Sequence, residues 1–213
     1  MDNNFDSDIL INKAIFRLDE ELSNLNVIPF DLKVVGGYAL ILSGLRQKNQ
    51  ITDVDYVGES FSQEVNRIIN EIGREFHLGN NWINNDVLLT GESIDSLADC
   101  VGVYLKFKKA FELNVITVYR LDEHGLLAMK LNAIDTSLIG TEFQGKFTRM
   151  KDFEDIVNLK KRLGYSYEYL ENMIDWLSGE YGIKMIKAWE KNQERGVNQV
   201  IEEYNKDVID IYV

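Results

Sequence analysis

The chain holds a single cysteine, Cys100, among its 213 residues. One thiol cannot close an internal disulfide, and a cysteine-based zinc site is excluded with it. Histidine is nearly as scarce: His77 and His124 are the only two. Neither stands at a metal-ligand spacing or beside a convincing nucleophile, which argues against a histidine-based hydrolase or zinc enzyme. Proline occurs once, at Pro29, where it breaks the chain before the first apolar strand. Positive charge is in deficit, with 23 Lys and Arg against 35 Asp and Glu and a formal net charge of -12. That balance argues against a sequence-blind grip on DNA or on an anionic membrane, and leaves room only for a local basic patch. No apolar run approaches the roughly 18–20 residues that span a bilayer. The start, M-D-N-N-F-D-S-D, lacks the pattern of a signal peptide. Together these absences predict a cytoplasmic protein with no membrane partner and no general DNA binding.

What is present is an ordinary globular composition, 45% hydrophobic and 27% charged. The length suits one domain with an appendage, or two small domains, and can bury a real core. Ser7 is a candidate cap for a helix over residues 8–25, along which Ile9, Ile11, Ala14, Ile15, Leu18 and Leu22 recur at helical spacing. Residues 61–76 repeat the pattern with Phe61, Val65, Ile68, Ile69 and Ile72. A polar loop around Trp82 and a short strand at 87–89 follow. Residues 101–107 and 111–119 predict a strand pair joined by Lys108, Lys109 and Ala110. From Asp122 the pattern turns helical. Leu127, Leu131 and Ile134 form one stripe, 138–146 is loop-like, and further helices are predicted over 151–163, 166–178 and 181–204. The expected class is α+β: a small mixed β-sheet flanked by helices over residues 1–122, and a helical C-terminal region over 123–213 packed on that core.

The chemistry concentrates in residues 34–56, V-V-G-G-Y-A-L-I-L-S-G-L-R-Q-K-N-Q-I-T-D-V-D-Y. A short strand turns on Gly36 and Gly37, a brief helix and a polar loop follow, and a second strand carries Asp53 and Asp55. Alternation puts the two acids on one face, with Thr52, Val54 and Tyr56 on the other. Their Cα atoms would lie roughly 6.5–7 Å apart. Two carboxylates at that distance suit Mg²⁺, which takes carboxylate, water and phosphate oxygens. A glycine turn opening a helix offers bare N–H groups to a phosphate. Either feature alone has an ordinary structural explanation, since glycines serve many turns and acids many exposed strands. Their convergence at one sheet edge points to phosphate–metal chemistry.

The run V-V-G-G-Y-A-L-I-L-S-G-L-R followed by T-D-V-D-Y resembles the signature of the nucleotidyltransferase fold, the DNA polymerase beta superfamily. Within it the chain is most similar to small bacterial AbiEii-like and DUF6036-like proteins. Three further motifs carry the likeness: the tryptophan loop N-N-W-I-N-N-D, the helix L-L-A-M-K-L-N-A, and the R-M-K-D-F-E-D element. The likeness spans roughly residues 30–165. It implies that Gly36 and Gly37 present amides to a nucleoside triphosphate, with Tyr38 beginning the helix beside it. It implies that Asp53 and Asp55 hold Mg²⁺ (or Mn²⁺) for an in-line displacement. Arg46 and Lys48 would add positive charge at the phosphates, or stand as solvated loop residues. Lys130, within an apolar helix segment, needs a partner: a phosphate, or an ion pair with Asp152 or Asp155. Those two acids share a helix face three residues apart, either beside the site or as an ordinary solvated face.

A third acid able to deprotonate the acceptor hydroxyl is harder to place. Glu112 on the later strand pair is one candidate, Asp86 lies earlier, and Asp152 is the alternative base. The basic cluster at 160–162, K-K-R, reads as an RNA phosphate contact or as a helix end favoured by the dipole. The function expected is Mg²⁺-dependent transfer of a nucleoside monophosphate from a nucleoside triphosphate to a hydroxyl, on RNA or protein. The resemblance adds the toxin half of a toxin–antitoxin pair, with an antitoxin partner. The alternatives are a nucleotide-binding or regulatory protein of the same fold without transfer, and a partner-binding module whose acids are merely surface.

Overall fold

A computed structural model describes residues 9–47, 51, 53–85, 105–139, 150–173 and 179–212. The expectations for Ser7, Lys48, Thr52, Asp86, the strand at 87–89, the start of the strand at 101–107 and the loop at 140–146 fall outside those residues. The described residues up to Asp122 form one compact unit, and those from Glu123 onward form a second.

The first unit runs α1 (Leu10–Asn24), β1 (Phe30–Val34), α2 (Gly36–Leu42), β2 (Val54–Val57), α3 (Gln63–Glu75), β3 (Ile83–Asn84), β4 (Phe107–Glu112) and β5 (Ile116–Leu121). The periodic residues of α1, from Ile11 to Leu22, are buried, as are Val65, Ile68, Ile69 and Ile72 of α3, and the two helices pack together. Ser62 caps α3, its side chain accepting from the Val65 N–H at 3.3 Å. The strands form a mixed sheet in the order β3-β2-β1-β5-β4. The β1–β5 and β2–β3 pairs are parallel, and the β1–β2 and β4–β5 pairs are antiparallel. One face carries Leu32, Val34, Val54, Tyr56, Ile116 and Val118, all buried. The other carries exposed Asp31, Lys33, Lys109 and Glu112.

The β4–β5 hairpin corrects the expectation that residues 108–110 form its turn. Lys108, Lys109 and Ala110 lie within β4, and the chain reverses at Leu113, Asn114 and Val115. Asp19 of α1, fully buried, fixes this turn. Its Oδ1 accepts from the N–H groups of Val115 at 2.8 Å and Ile116 at 2.9 Å. Its Oδ2 accepts from the Asn114 N–H at 3.1 Å and the Asn114 side-chain amide at 2.9 Å. A buried carboxylate with four donors is well satisfied, and the turn's own amides need no other partner.

The second unit is helical: α4 (Glu123–Ile139), α5 (Met150–Leu163), α6 (Tyr167–Met173) and α7 (Gly179–Tyr212). Leu126, Leu127, Ala128, Leu131 and Ile134 of α4 are all buried, so this helix is apolar on most sides, as a central helix must be. It packs on α5 and α7, and α5 and α6 also pack on α7. The expectation of one continuous helix over 181–204 is corrected at Gln193, whose backbone is non-helical (φ 49, ψ -139). The two limbs of α7 fold back on one another there. The Tyr181 and Tyr204 ring centroids lie 4.9 Å apart, whereas 23 residues of straight helix would separate them by about 34 Å.

No helix among the described residues is long and apolar enough to cross a membrane.

Candidate functional site

Strand β1 ends in buried Val34 and Val35, and the chain turns at Gly36 with φ 60. The Val35 N–H donates to the Asp55 carbonyl at 2.9 Å. This extends the antiparallel register Val34↔Tyr56 by one step and puts Asp55 level with Val35. The Asp55 carboxylate then lies directly on the bare Cα of Gly36: a methyl there would stand 2.5 Å from Oδ2. Neither the positive φ nor that approach tolerates a side chain, so glycine is required twice over. Gly37 carries a second charged group. A methyl on it would meet the Arg46 guanidinium at 2.8 Å and the Ile51 side chain at 3.0 Å. The fold thus brings Gly36, Gly37, Arg46 and Asp55 together, with an acid on one glycine and a cation on the next. Because α2 has 7 residues, the guanidinium, not a helix dipole, is the substantial positive charge at this turn.

Strand β2 shows the predicted alternation. Val54 and Tyr56 are buried, Asp55 is half-buried, and Asp53, just before the strand, is exposed. The two acids therefore share the face opposite Val54 and Tyr56. Asn84 joins them from the neighbouring strand, since the register of β3 pairs Asp55 with Asn84. Sequence reasoning passed over Asn84 because a two-residue strand carries no periodic signal.

Tyr38 lies in the first turn of α2, as expected, and its side chain belongs to the core. It is 1% exposed, and its hydroxyl donates to Asn12 Oδ1 of α1 at 2.5 Å. Burial pushes its pKa well up, so it stays a neutral donor.

Glu112 is corrected. It pairs with Thr117, which pairs with Asp31, whereas Asp55 is level with Val35. The offset is about 13 Å along the strands and about 14 Å across three inter-strand spacings. Glu112 sits at the opposite end of the sheet, exposed and ion-paired with Lys109. By the same register the acid at the correct end of β5 is Asp122, two residues beyond Arg120, which pairs with Val34. Asp122 is buried, and its N–H donates to the Lys106 carbonyl at 2.8 Å. It also precedes Glu123, the first residue of α4, and aspartate is an ordinary residue at a helix N-cap. An acid ending a strand was the signal available in the sequence, but there it read as the start of a helix.

Lys130, Asp152 and Asp155 belong to the second unit. Lys130 of α4 is held by two carboxylates of α5: it pairs closely with Asp152 and lies 3.1 Å from Asp155 Oδ2. The three side chains are 11%, 6% and 4% exposed. The ion pair expected for Lys130 is formed, and with both acids at once. It ties two helices together and compensates charge that would otherwise be costly to bury.

The basic cluster at 160–162 is also internally engaged. Lys161 lies 3.2 Å and Lys160 3.6 Å from the Glu190 carboxylate, and Lys160 rests over the Tyr167 ring at 4.1 Å. The Tyr167 hydroxyl donates to Glu190 and lowers its pKa, with both lysines adding to the effect and burial opposing it.

As a donor set, Asp53 and Asp55 offer hard carboxylate oxygens of the kind Mg²⁺ takes. No group of three or more His, Cys, Asp or Glu side chains forms a metal cage among the described residues. Comparison with protein-family models, with curated proteins and with solved structures finds no match to this chain.

Proposed function

We propose that the protein is a Mg²⁺-dependent nucleotidyltransferase that moves a nucleoside monophosphate from a nucleoside triphosphate to a hydroxyl acceptor, releasing pyrophosphate. One observation carries the reading: the Asp55 carboxylate and the Arg46 guanidinium lie on adjacent bare glycines, with Asp53 on the same strand face as Asp55. An acid pair for a cation and a guanidinium for phosphate, side by side on a glycine turn, is the juxtaposition this chemistry uses.

In the reaction the acceptor hydroxyl gives up its proton to water, and its oxygen forms a bond to the α-phosphorus. The bond from that phosphorus to the bridging oxygen breaks, and its electron pair leaves with pyrophosphate. Mg²⁺ or Mn²⁺, when bound, neutralises the phosphate charge that builds in such a displacement. Asp53 and Asp55 would hold it, Gly36 and Gly37 would admit the phosphates to their backbone amides, and Arg46 would bind phosphate oxygens. With Asp122 buried and Asp53 and Asp55 the acids on the β2 face, the site should bind the divalent ion much better with nucleotide than without.

A second reading, nucleotide binding without transfer, is favoured by the third carboxylate. Glu112 stands at the far end of the sheet, and Asp152 is committed to Lys130. Calorimetry with each nucleoside triphosphate and Mg²⁺, run beside a transfer assay, separates the two. Binding with turnover supports transfer, binding without turnover supports the second reading, and no binding removes both. RNA, protein and an antitoxin partner stay open as acceptor or partner.

A further inference from the structure

The segment around β3 is anchored far more firmly than a two-residue strand requires. Trp82 is 1% exposed, and its indole N–H donates to the Ile69 carbonyl of α3 at 2.7 Å. A methyl on Gly73 would stand 2.5 Å from the Trp82 ring and 2.2 Å from the Gly79 carbonyl, so α3 keeps a bare Cα to receive them. The Val54 N–H donates to the Trp82 carbonyl at 2.6 Å, and the Asn81 N–H to Asn70 Oδ1 at 3.1 Å. The Asn85 amide donates to Ser60 Oγ at 3.3 Å. These contacts fix the register Val54↔Ile83 and Asp55↔Asn84. Ile83 is buried on the face of Val54, so alternation puts Asn84 on the face of Asp55, with strands about 4.8 Å apart. The outcome of this anchoring is one half-buried carboxamide beside Asp55.

We propose that Asn84 is a positioning residue of the Asp53–Asp55 site, its carboxamide hydrogen-bonding an oxygen of a nucleoside triphosphate held there. This rests on the nucleotide reading of that site. The chemistry suits the place. An amide brings two N–H donors and no charge, whereas a third carboxylate would repel the triphosphate while drawing the metal ion.

Both sides of that contrast can be read in titrations of the full chain. The probes are Mn²⁺ alone and Mn²⁺ with each of ATP, GTP, CTP and UTP. Asn84→Ala is expected to weaken the nucleotide that wild type binds best by about tenfold, the worth of one hydrogen bond to a charged group. Asn84→Asp, isosteric with the native residue, is expected to bind Mn²⁺ alone at least tenfold more tightly than wild type, because it completes a three-carboxylate set. Equal nucleotide affinity in Asn84→Ala and wild type overturns the role of Asn84 and leaves the site reading standing. Unchanged Mn²⁺ affinity in Asn84→Asp overturns the placement of Asn84 beside Asp55. Failure of all four Mn²⁺–nucleotides to bind wild type overturns the site reading and the Asn84 assignment together.

Discussion

Replacing Gly36 with alanine probes the turn on which the site is built. Two costs follow from the geometry. A non-glycine residue held at φ 60 loses about 1–2 kcal/mol to the clash of its Cβ with the backbone. The new methyl would also stand 2.5 Å from Asp55 Oδ2, about 1 Å inside ordinary contact. The carboxylate must then rotate away, at about 0.5–1.5 kcal/mol for a side chain forced off its rotamer. The sum is a destabilisation of about 1.5–3.5 kcal/mol, measurable by urea-induced unfolding followed by circular dichroism. The two contributions separate in an Asp55→Ala background. There the carboxylate is gone, and the Asp55 Cβ at 3.6 Å is in ordinary contact, so Gly36→Ala should cost only the backbone share. A coupling of about 1 kcal/mol between the two positions is the expected signature. Equal cost in both backgrounds would mean that Asp55 does not rest on Gly36. A cost below about 0.5 kcal/mol, the level of a neutral surface change, would mean that the turn does not have the backbone described.

Three further substitutions test the frame around the site by equilibrium unfolding. Asp19→Ala leaves the buried N–H groups of Val115 and Ile116 without their acceptor and should cost about 3 kcal/mol or more, with Asp19→Asn costing less because one oxygen remains. Lys130→Met strands two buried carboxylates and should cost about 3–5 kcal/mol, much of it recovered when Asp152 and Asp155 are both changed to asparagine. Gln193→Gly should stabilise by about 1 kcal/mol, because φ 49 with ψ -139 is backbone that side chains resist and glycine does not. Loss of stability in that variant would show that the Gln193 side chain holds the reversal of α7.

The parts of the fold that sequence made legible are those governed by local pattern. The apolar faces of α1 and α3 recur at helical spacing, and the alternation around Val54, Asp55 and Tyr56 survives intact in β2. Where a distant residue decides the outcome, local pattern fails. Residues 108–110 look like a turn, yet Asp19, 95 residues from Asn114, holds the reversal at residues 113–115 instead. Gln193 gives no glycine or proline signal, and only the packing of the two limbs shows that α7 doubles back. The same holds at the site. Gly36, Gly37, Arg46 and Asp55 were legible because they lie within one short stretch that closes on itself. The burial of the Tyr38 side chain was not legible, because its partner, Asn12, comes from another helix. Glu112, Asp122 and Asn84 could be sorted only by strand register, which a sequence without the sheet order does not contain.

The transfer reaction itself is the most direct test of the proposed chemistry. Wild type and the Asp53→Asn/Asp55→Asn double variant would be incubated with α-labelled nucleoside triphosphates and Mg²⁺, with RNA and protein acceptors supplied in parallel, and circular dichroism would confirm that the variant is folded. Both substitutions are isosteric and keep a hydrogen-bonding group at each position, so the variant is expected to fold. Label should reach an acceptor with wild type and with none of the acceptors when the two acids are amides. Undiminished labelling by the folded double variant would contradict a role for the Asp53–Asp55 pair in the transfer.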